Sequence, residues 1–254
     1  MAKPNYGNWI RKHILARFLI VALGLCLASF IPLPGAVRLG LIVFACGFFL
    51  MFLYLAYIYY QFSEQGGGFQ RKMHQALLNH LSWDGQGNGL DIGTGNGALA
   101  IRLAQKFPRA LVLGIDLWGE NWEYSKAVCE ENARIEAQDQ RVHFQQGTAA
   151  ALPSTDGAFN AVVSHFVFHE VTGVAKTDVL KEAFRVLRKG GSFSFQDMFL
   201  DSALYGDIPA LLNTLHEWGI EEVRFVPSSE LVKIPYLLRH KRVLGRAGLL
   251  FGRK

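Results

Sequence analysis

Cysteine is scarce: only three occur in 254 residues, at positions 26, 46 and 129, and no pair has metal-ligand spacing. That excludes a disulfide framework, predicts no metal site and fits a reducing compartment. Acids are nearly missing from both ends. Residues 1–72 hold Glu64 against seven Lys/Arg, residues 231–254 hold seven Lys/Arg and no acid, and residues 73–230 hold twenty acids against twelve bases. Internal repeats and low-complexity tracts are also lacking. The basic ends do not form a binding face interleaved with aromatics, so nucleic acid is not the expected partner. The basic C-terminal end, from Lys233 to Lys254 among Leu and Ile, points to anionic lipid headgroups or to a plain solvated hairpin.

Long apolar runs are present at the N-terminus. Ile14–Ile31 and Ala36–Tyr60 are separated by Pro32-Leu-Pro-Gly35, and each is about long enough to cross a bilayer at roughly 20 residues per span. A secretory signal would have a shorter apolar core without a second span behind it. Residues 1–62 are therefore expected to be a two-helix membrane anchor. Lys3, Arg11 and Lys12 precede the first run and Arg71 and Lys72 follow the second, with only Arg38 near the turn. This bias places both termini and the following domain on the cytoplasmic side of the cell membrane. Residues 63–68, with Gly66-Gly-Gly68, read as a flexible linker. Phe69, Met73, Leu77 and Leu81 then recur at helical spacing, predicting an amphipathic entry helix over a cofactor cleft or on the membrane surface.

Beyond it, apolar runs alternate with helical patterns. Strands are expected near 89–92, 111–116, 141–146, 159–164, 192–197, 222–226 and 247–252, an α/β doubly wound, Rossmann-like arrangement over residues 69–254. The densest signal is Leu90-Asp-Ile-Gly-Thr-Gly-Asn-Gly-Ala-Leu99. A strand that must turn sharply into a helix while a ligand approaches its backbone needs residues without side chains, here Gly93, Gly95 and Gly97. Asp91 sits two residues earlier, where its carboxylate can accept backbone amides or orient a ligand ammonium. Asp116 ends the apolar run Leu111-Val-Leu-Gly-Ile-Asp116, at the tip of a second strand where an acid can hold ribose hydroxyls. Gly93-x-Gly95-x-x-Ala98 also satisfies the dinucleotide template, so the glycines alone leave a nucleotide-dependent oxidoreductase open.

The acid-x-Gly-x-Gly-x-Gly pattern that Asp91 opens resembles the first motif of class I S-adenosylmethionine-dependent methyltransferases. Gly147-Thr-Ala-Ala-Ala-Leu-Pro153 looks like that family's third-strand exit, Phe159-Asn-Ala-Val-Val-Ser-His165 like its fourth strand, and Leu187-Arg-Lys-Gly-Gly-Ser192 like the turn before its fifth. The resemblance covers residues 70–254 and is nearest to the small-molecule, quinone or lipid branch. It implies a seven-stranded domain with S-adenosyl-L-methionine as cofactor, held by Asp91, Gly93, Thr94, Gly95, Gly97, Asp116, Leu117, Thr148, Ala149 and Ser164. That branch usually carries an acid where Thr148 stands, so a hydroxyl or backbone carbonyl must meet the adenine. Trp118 could stack on adenine or be a packing residue.

Catalytic candidates follow the fourth and fifth strands. His165 and His169 could take a proton from the nucleophile, although the resemblance also implies a structural role for His169. Glu170 reads as a helix N-terminal acid, His216, Glu217 and Trp218 as a surface and packing set. The resemblance also implies that Asp197, at the end of the fifth strand, lies at the rim of the substrate pocket. The sulfonium is already an activated donor, so alignment and water exclusion are the main tasks. The expected activity is in-line methyl transfer to a small or lipid-like acceptor. The alternative outside catalysis is a membrane module that holds S-adenosylmethionine and transfers nothing.

Overall fold

The computed structural model describes residues 2–119, 124–241 and 243–254. The chain divides into Gly7–Arg71 and a larger unit made of Lys72–Lys254 with the segment ending at Tyr6.

The smaller unit is a pair of helices, α1 (Lys12–Ala28) and α2 (Gly35–Phe62). They pack through contacts such as Phe18 on Phe48, ring centroids 5.8 Å apart. The first apolar run does not stay helical to Ile31. Pro32 disfavours helical backbone at the residue before it, and the helix closes with Ser29 Oγ donating to the Cys26 carbonyl. Among the described residues, α2 is the one helix long and apolar enough to cross a membrane, and α1 has 17 residues. Both turn large apolar side chains outward, Ile20 and Leu27 from α1, Phe44 and Leu50 from α2, each about two-thirds exposed.

Gly66–Gly68 is not an open linker. The amides of Gly66 and Gly68 donate to the Ser63 carbonyl and that of Gly67 to the Tyr60 carbonyl. A Cβ at Gly66 would lie 2.4 Å from the Tyr60 oxygen. The glycines let the chain fold back onto the end of α2 and satisfy its last carbonyls.

In the larger unit, seven strands form one sheet among the described residues, in the order β3-β2-β1-β4-β5-β7-β6. The elements run α3 (Phe69–Asn79), β1 (Gly87–Ile92), α4 (Ala98–Lys106), β2 (Ala110–Asp116), α5 (Lys126–Ile135), β3 (Val142–Gln146), β4 (Phe159–His165), α6 (Lys176–Val186), β5 (Leu187–Asp197), α7 (Ser202–Tyr205), α8 (Ile208–Glu217), β6 (Glu222–Pro227), α9 (Ser228–Leu231) and β7 (Gly248–Arg253). β1 to β5 are parallel, and β7 runs antiparallel between β5 and β6. All seven expected strands are present. β5 starts earlier than expected, because Leu187 pairs with Phe159 before a register shift, so the expected turn at 187–191 is part of the strand.

The alternation Ser192-Phe-Ser-Phe-Gln196 shows why both faces are covered. Phe193 and Phe195 point into one core, where Phe184 of α6 meets Phe193 edge-on at 4.9 Å. Ser194 and Gln196 face α3, where Ser194 Oγ donates to the Leu77 carbonyl at 2.9 Å and Gln196 Nε2 reaches Met73 Sδ at 3.6 Å. Small polar residues on that face let the helix approach closely. The entry helix therefore lies on β5 through Met73 and Leu77, both fully buried. Two helix starts carry side-chain acceptors for their exposed amides: Ser125 Oγ accepts from Val128 N before α5, and Asp207 Oδ1 from Ala210 N before α8.

Candidate cofactor site

Strand order reverses between β1 and β4, and the loop after β1 opens beyond the carboxyl ends of the strands, where ligands bind in such sheets. Gly93, Gly95 and Gly97 have φ of +72°, +58° and +80°, backbone that L side chains adopt only with strain. The amides of Gly93 and Thr94 both donate to the Ile115 carbonyl, at 2.8 and 3.0 Å. This ties the loop to β2. Thr94 Oγ1 donates to Asp91 Oδ2 at 2.7 Å. Asp116, at the tip of β2, accepts from Gly95 N on Oδ2 at 2.8 Å and from Trp118 N on Oδ1 at 3.1 Å.

Two features of the loop fit a bound ligand. Among the described residues, a Cβ on Gly95 would come within 4 Å of Tyr124 alone, at 3.6 Å, whereas Cβ atoms on Gly93 or Gly97 would collide with Val167 or Phe144. Among those residues the backbone is less crowded at the central glycine than at its neighbours. Asn96 Oδ1 is buried without a hydrogen-bond partner among the described residues, an acceptor that a ligand donor would satisfy. Burial pushes the Asp91 carboxyl up to about 7, against the opposing hydrogen bond from Thr94. Asp116 is also raised by burial, with its backbone hydrogen bonds opposing.

Trp118 is a packing and fastening residue. It holds φ +43°, its indole Nε1 donates to the Gly95 carbonyl at 2.8 Å, and its ring packs against the core that contains Cys129. The Cys129 thiol donates to the same carbonyl at 3.1 Å, and burial pushes its pKa up to about 12, leaving it unreactive. Leu117 is exposed and its carbonyl accepts from Gln146 Nε2 at 2.9 Å. Thr148 Oγ1 accepts from Ala150 N at 3.2 Å, with Ala149 half-buried beside it. Ser164 is buried, its hydroxyl donating to the Ile92 carbonyl at 3.0 Å. It joins β4 to β1 and leaves no free donor toward the loop.

The three catalytic candidates correct the sequence reading. Asp197 is fully buried rather than on a rim. Its Oδ2 accepts from Phe168 N at 2.8 Å, and its Oδ1 accepts from Met198 N at 2.6 Å and faces His169 Nδ1 at 2.8 Å. His169 Nε2 faces Glu170 at 3.3 Å. Burial disfavours the imidazolium, but hydrogen bonds with Asp197 and Glu170 outweigh it and raise the pKa to about 9. Both ring nitrogens thus face a carboxylate, an environment that favours the imidazolium over the neutral ring.

His165 is held the opposite way, with burial pulling its pKa down to about 3. It packs edge-on against His74 of α3, ring centroids 4.3 Å apart. His74 is buried and lowered well below the usual range by burial and by His165, and Arg102 of α4 donates to its Nδ1 at 2.6 Å. Sequence reading missed His74 and Arg102, which lie 28 residues apart on separate helices. The signal available was a histidine next to the apolar stripe position Met73.

A glycine-rich turn at the reversal of a parallel sheet, an acid at the next strand tip and an antiparallel final strand define a Rossmann-like methyltransferase fold. Residues 90–191 match the family model described as "Methyltransferase domain". It is 33% identical over 125 residues to the ubiquinone/menaquinone biosynthesis C-methyltransferase of Dinoroseobacter shibae, covering 49% of this chain and 48% of that protein. The chain spans about half or less of the length of the curated relatives it matches first. Among solved structures, the [4+2]-cyclase SpnF superposes with a TM-score of 0.55 at 20% identity, over 72% of this chain and 80% of that one. Geranyl diphosphate C-methyltransferase from Streptomyces coelicolor, solved with S-adenosyl-L-homocysteine, superposes with a TM-score of 0.53 at 14% identity, over 72% of this chain and 79% of that one. These likenesses show the fold.

Proposed function

We propose that the chain is a membrane-anchored S-adenosylmethionine-dependent methyltransferase acting on a small or lipid-like acceptor, with a quinone ring the leading class. The observation that carries the cofactor assignment is the loop itself, less crowded at Gly95 than at its neighbours among the described residues and tied to Asp116 on one side and Asp91 on the other. Bound there, the cofactor supplies a methyl group activated by its sulfonium. Gly95 and Asn96 admit it, Asp116 takes the ribose hydroxyls with its remaining lone pairs, and Asp91 faces the ammonium end. The quinone class rests on the named activity of the Dinoroseobacter relative.

Anchoring rests on the helix pair. A helix of 28 residues is roughly 42 Å long at 1.5 Å per residue, ample for a hydrocarbon core of about 30 Å. A water-soluble surface rarely leaves so much contiguous Leu, Ile and Phe uncovered. We read α1 as the second crossing, with both termini cytoplasmic, which matches the Lys/Arg bias. A bilayer-resident acceptor would then be met at raised effective concentration.

Membranes containing the full-length protein, given S-adenosylmethionine with a labelled methyl group, should place label in the lipid fraction. Label only in the aqueous fraction would make the anchor positional. Label nowhere would favour the second reading, a module that holds the cofactor and transfers nothing.

Asp91 supplies an independent test. An ammonium favours the ionised carboxylate, so cofactor affinity should rise with pH through about 7, the value to which burial lifts Asp91. Binding at pH 7 should release on the order of half a proton, read by calorimetry in buffers of different ionisation enthalpy. An Asp91→Asn variant should lose that release. Proton uptake on binding would place the ammonium elsewhere.

A further inference from the structure

Between β6 and β7 the chain makes an excursion, Ser228–Ala247, with a tight 3-10 turn at Tyr236–Leu238. Ile234, Leu238 and Leu244 point inward and are buried. The Leu244 amide donates to the Leu238 carbonyl at 3.1 Å, and Arg239 Nε to the Ile234 carbonyl at 3.0 Å. These contacts hold the turn up, so that Tyr236 is 83% exposed and its neighbour Leu237 47%. Lys233, Arg239, His240 and Lys241 around them are exposed, and no acid follows Glu230 in the chain.

The basic C-terminal end is not one surface. Lys254 Nζ donates to the Phe184 and Leu187 carbonyls at 2.6 and 2.8 Å, Arg246 pairs with Asp201, and Arg253 reaches the Gly190 carbonyl. Those cations serve the fold. Lys233 and Lys241, with the part of the Arg239 guanidinium beyond its Nε, flank the exposed Tyr236 and Leu237.

We propose that this turn is a lipid-surface contact of the methyltransferase unit, in which Tyr236 and Leu237 enter the interfacial layer while Lys233, Arg239 and Lys241 pair with anionic headgroups. A tyrosine with an apolar ring and a polar tip suits that layer, and clustered Lys/Arg are drawn to an anionic leaflet. The inference rests on the membrane reading only in placing a bilayer within reach; the residues it uses belong to the Lys72–Lys254 unit.

Hydrogen exchange of the full chain in phosphatidylcholine nanodiscs, with and without phosphatidylglycerol, tests it. Amides of residues 233–241 should exchange several-fold more slowly with phosphatidylglycerol, and the double variant Tyr236→Ser, Leu237→Ser should lose the difference. Equal exchange in the two lipids overturns the proposal. So does a difference that survives Lys233→Glu with Lys241→Glu, or equal protection by RNA without a bilayer. Amides of α2 report on the anchor in the same experiment: fast exchange there in both lipids would remove the anchor reading without touching the comparison at the turn.

Discussion

Asp197→Ala is expected to lower stability by about 3–5 kcal/mol, the range for breaking a buried charged pair from one side. The change removes the partner that holds the His169 imidazolium, and it leaves the Phe168 and Met198 amides without their acceptor. Denaturant midpoints of the variant and the parent would measure it. The pair also sets a pH dependence. His169 in the folded protein titrates at about 9, above its ordinary value of about 6.5, so folding takes up a proton between those values. The stabilisation is complete below the unfolded pKa and is lost as pH rises through the folded one, an amount on the order of 2–4 kcal/mol. The parent should therefore weaken between roughly pH 6.5 and 9, and Asp197→Ala should flatten most of that slope. A parent whose stability is level across this window would show that His169 is neutral.

Gly93→Ala should be nearly as damaging. The residue sits at φ +72°, which costs an L residue about 1–2 kcal/mol. Its new Cβ would stand 2.0 Å from Val167 Cγ2, an overpacking worth about 1–3 kcal/mol. Relief requires moving either the loop that carries Gly95 or the segment after β4. Affinity for S-adenosylhomocysteine should drop roughly ten- to a hundredfold, measured by calorimetry together with the melting temperature. Adding Val167→Ala removes the two closest contacts but keeps its Cβ at 2.8 Å, so it should restore only some of the packing part and none of the backbone part. Unchanged affinity and melting temperature in the single variant would refute the loop geometry.

The comparison of sequence with structure divides along the length scale of the interactions. The strands and the glycine turn were legible, because period-two alternation and a run such as Gly93-Thr-Gly-Asn-Gly97 are local patterns with few backbone solutions. The chemistry around the turn was not. The family resemblance implied a rim position for Asp197, but its burial depends on Phe168 and His169, which are 29 and 28 residues away. The charge states of His165 and His169 depend on neighbours from other elements, so two histidines four positions apart acquire opposite behaviour. Gly66–Gly68 misled for a related reason: glycine permits a flexible link and an unusually close backbone contact equally well, and only the Tyr60 carbonyl decides between them.

The first few residues alter how this chain can be cut. Asn5 exchanges two hydrogen bonds with Asn132, at 2.7 and 2.9 Å across a sequence separation of 127, and the Asn132 amide also donates to the Asn96 carbonyl. Arg102 lies over the Tyr6 ring, 5.0 Å from its centroid. The helix pair is therefore an insertion inside the catalytic unit instead of a leader attached to its front. A ribosome delivers Asn5 long before Asn132, so this clasp can close only after the helices have been made. A version without α1 and α2 should keep residues 2–6 and bridge them to Lys72 with a short loop. Simple removal of everything before Lys72 would strip a hydrogen-bonding partner from the back of the glycine turn.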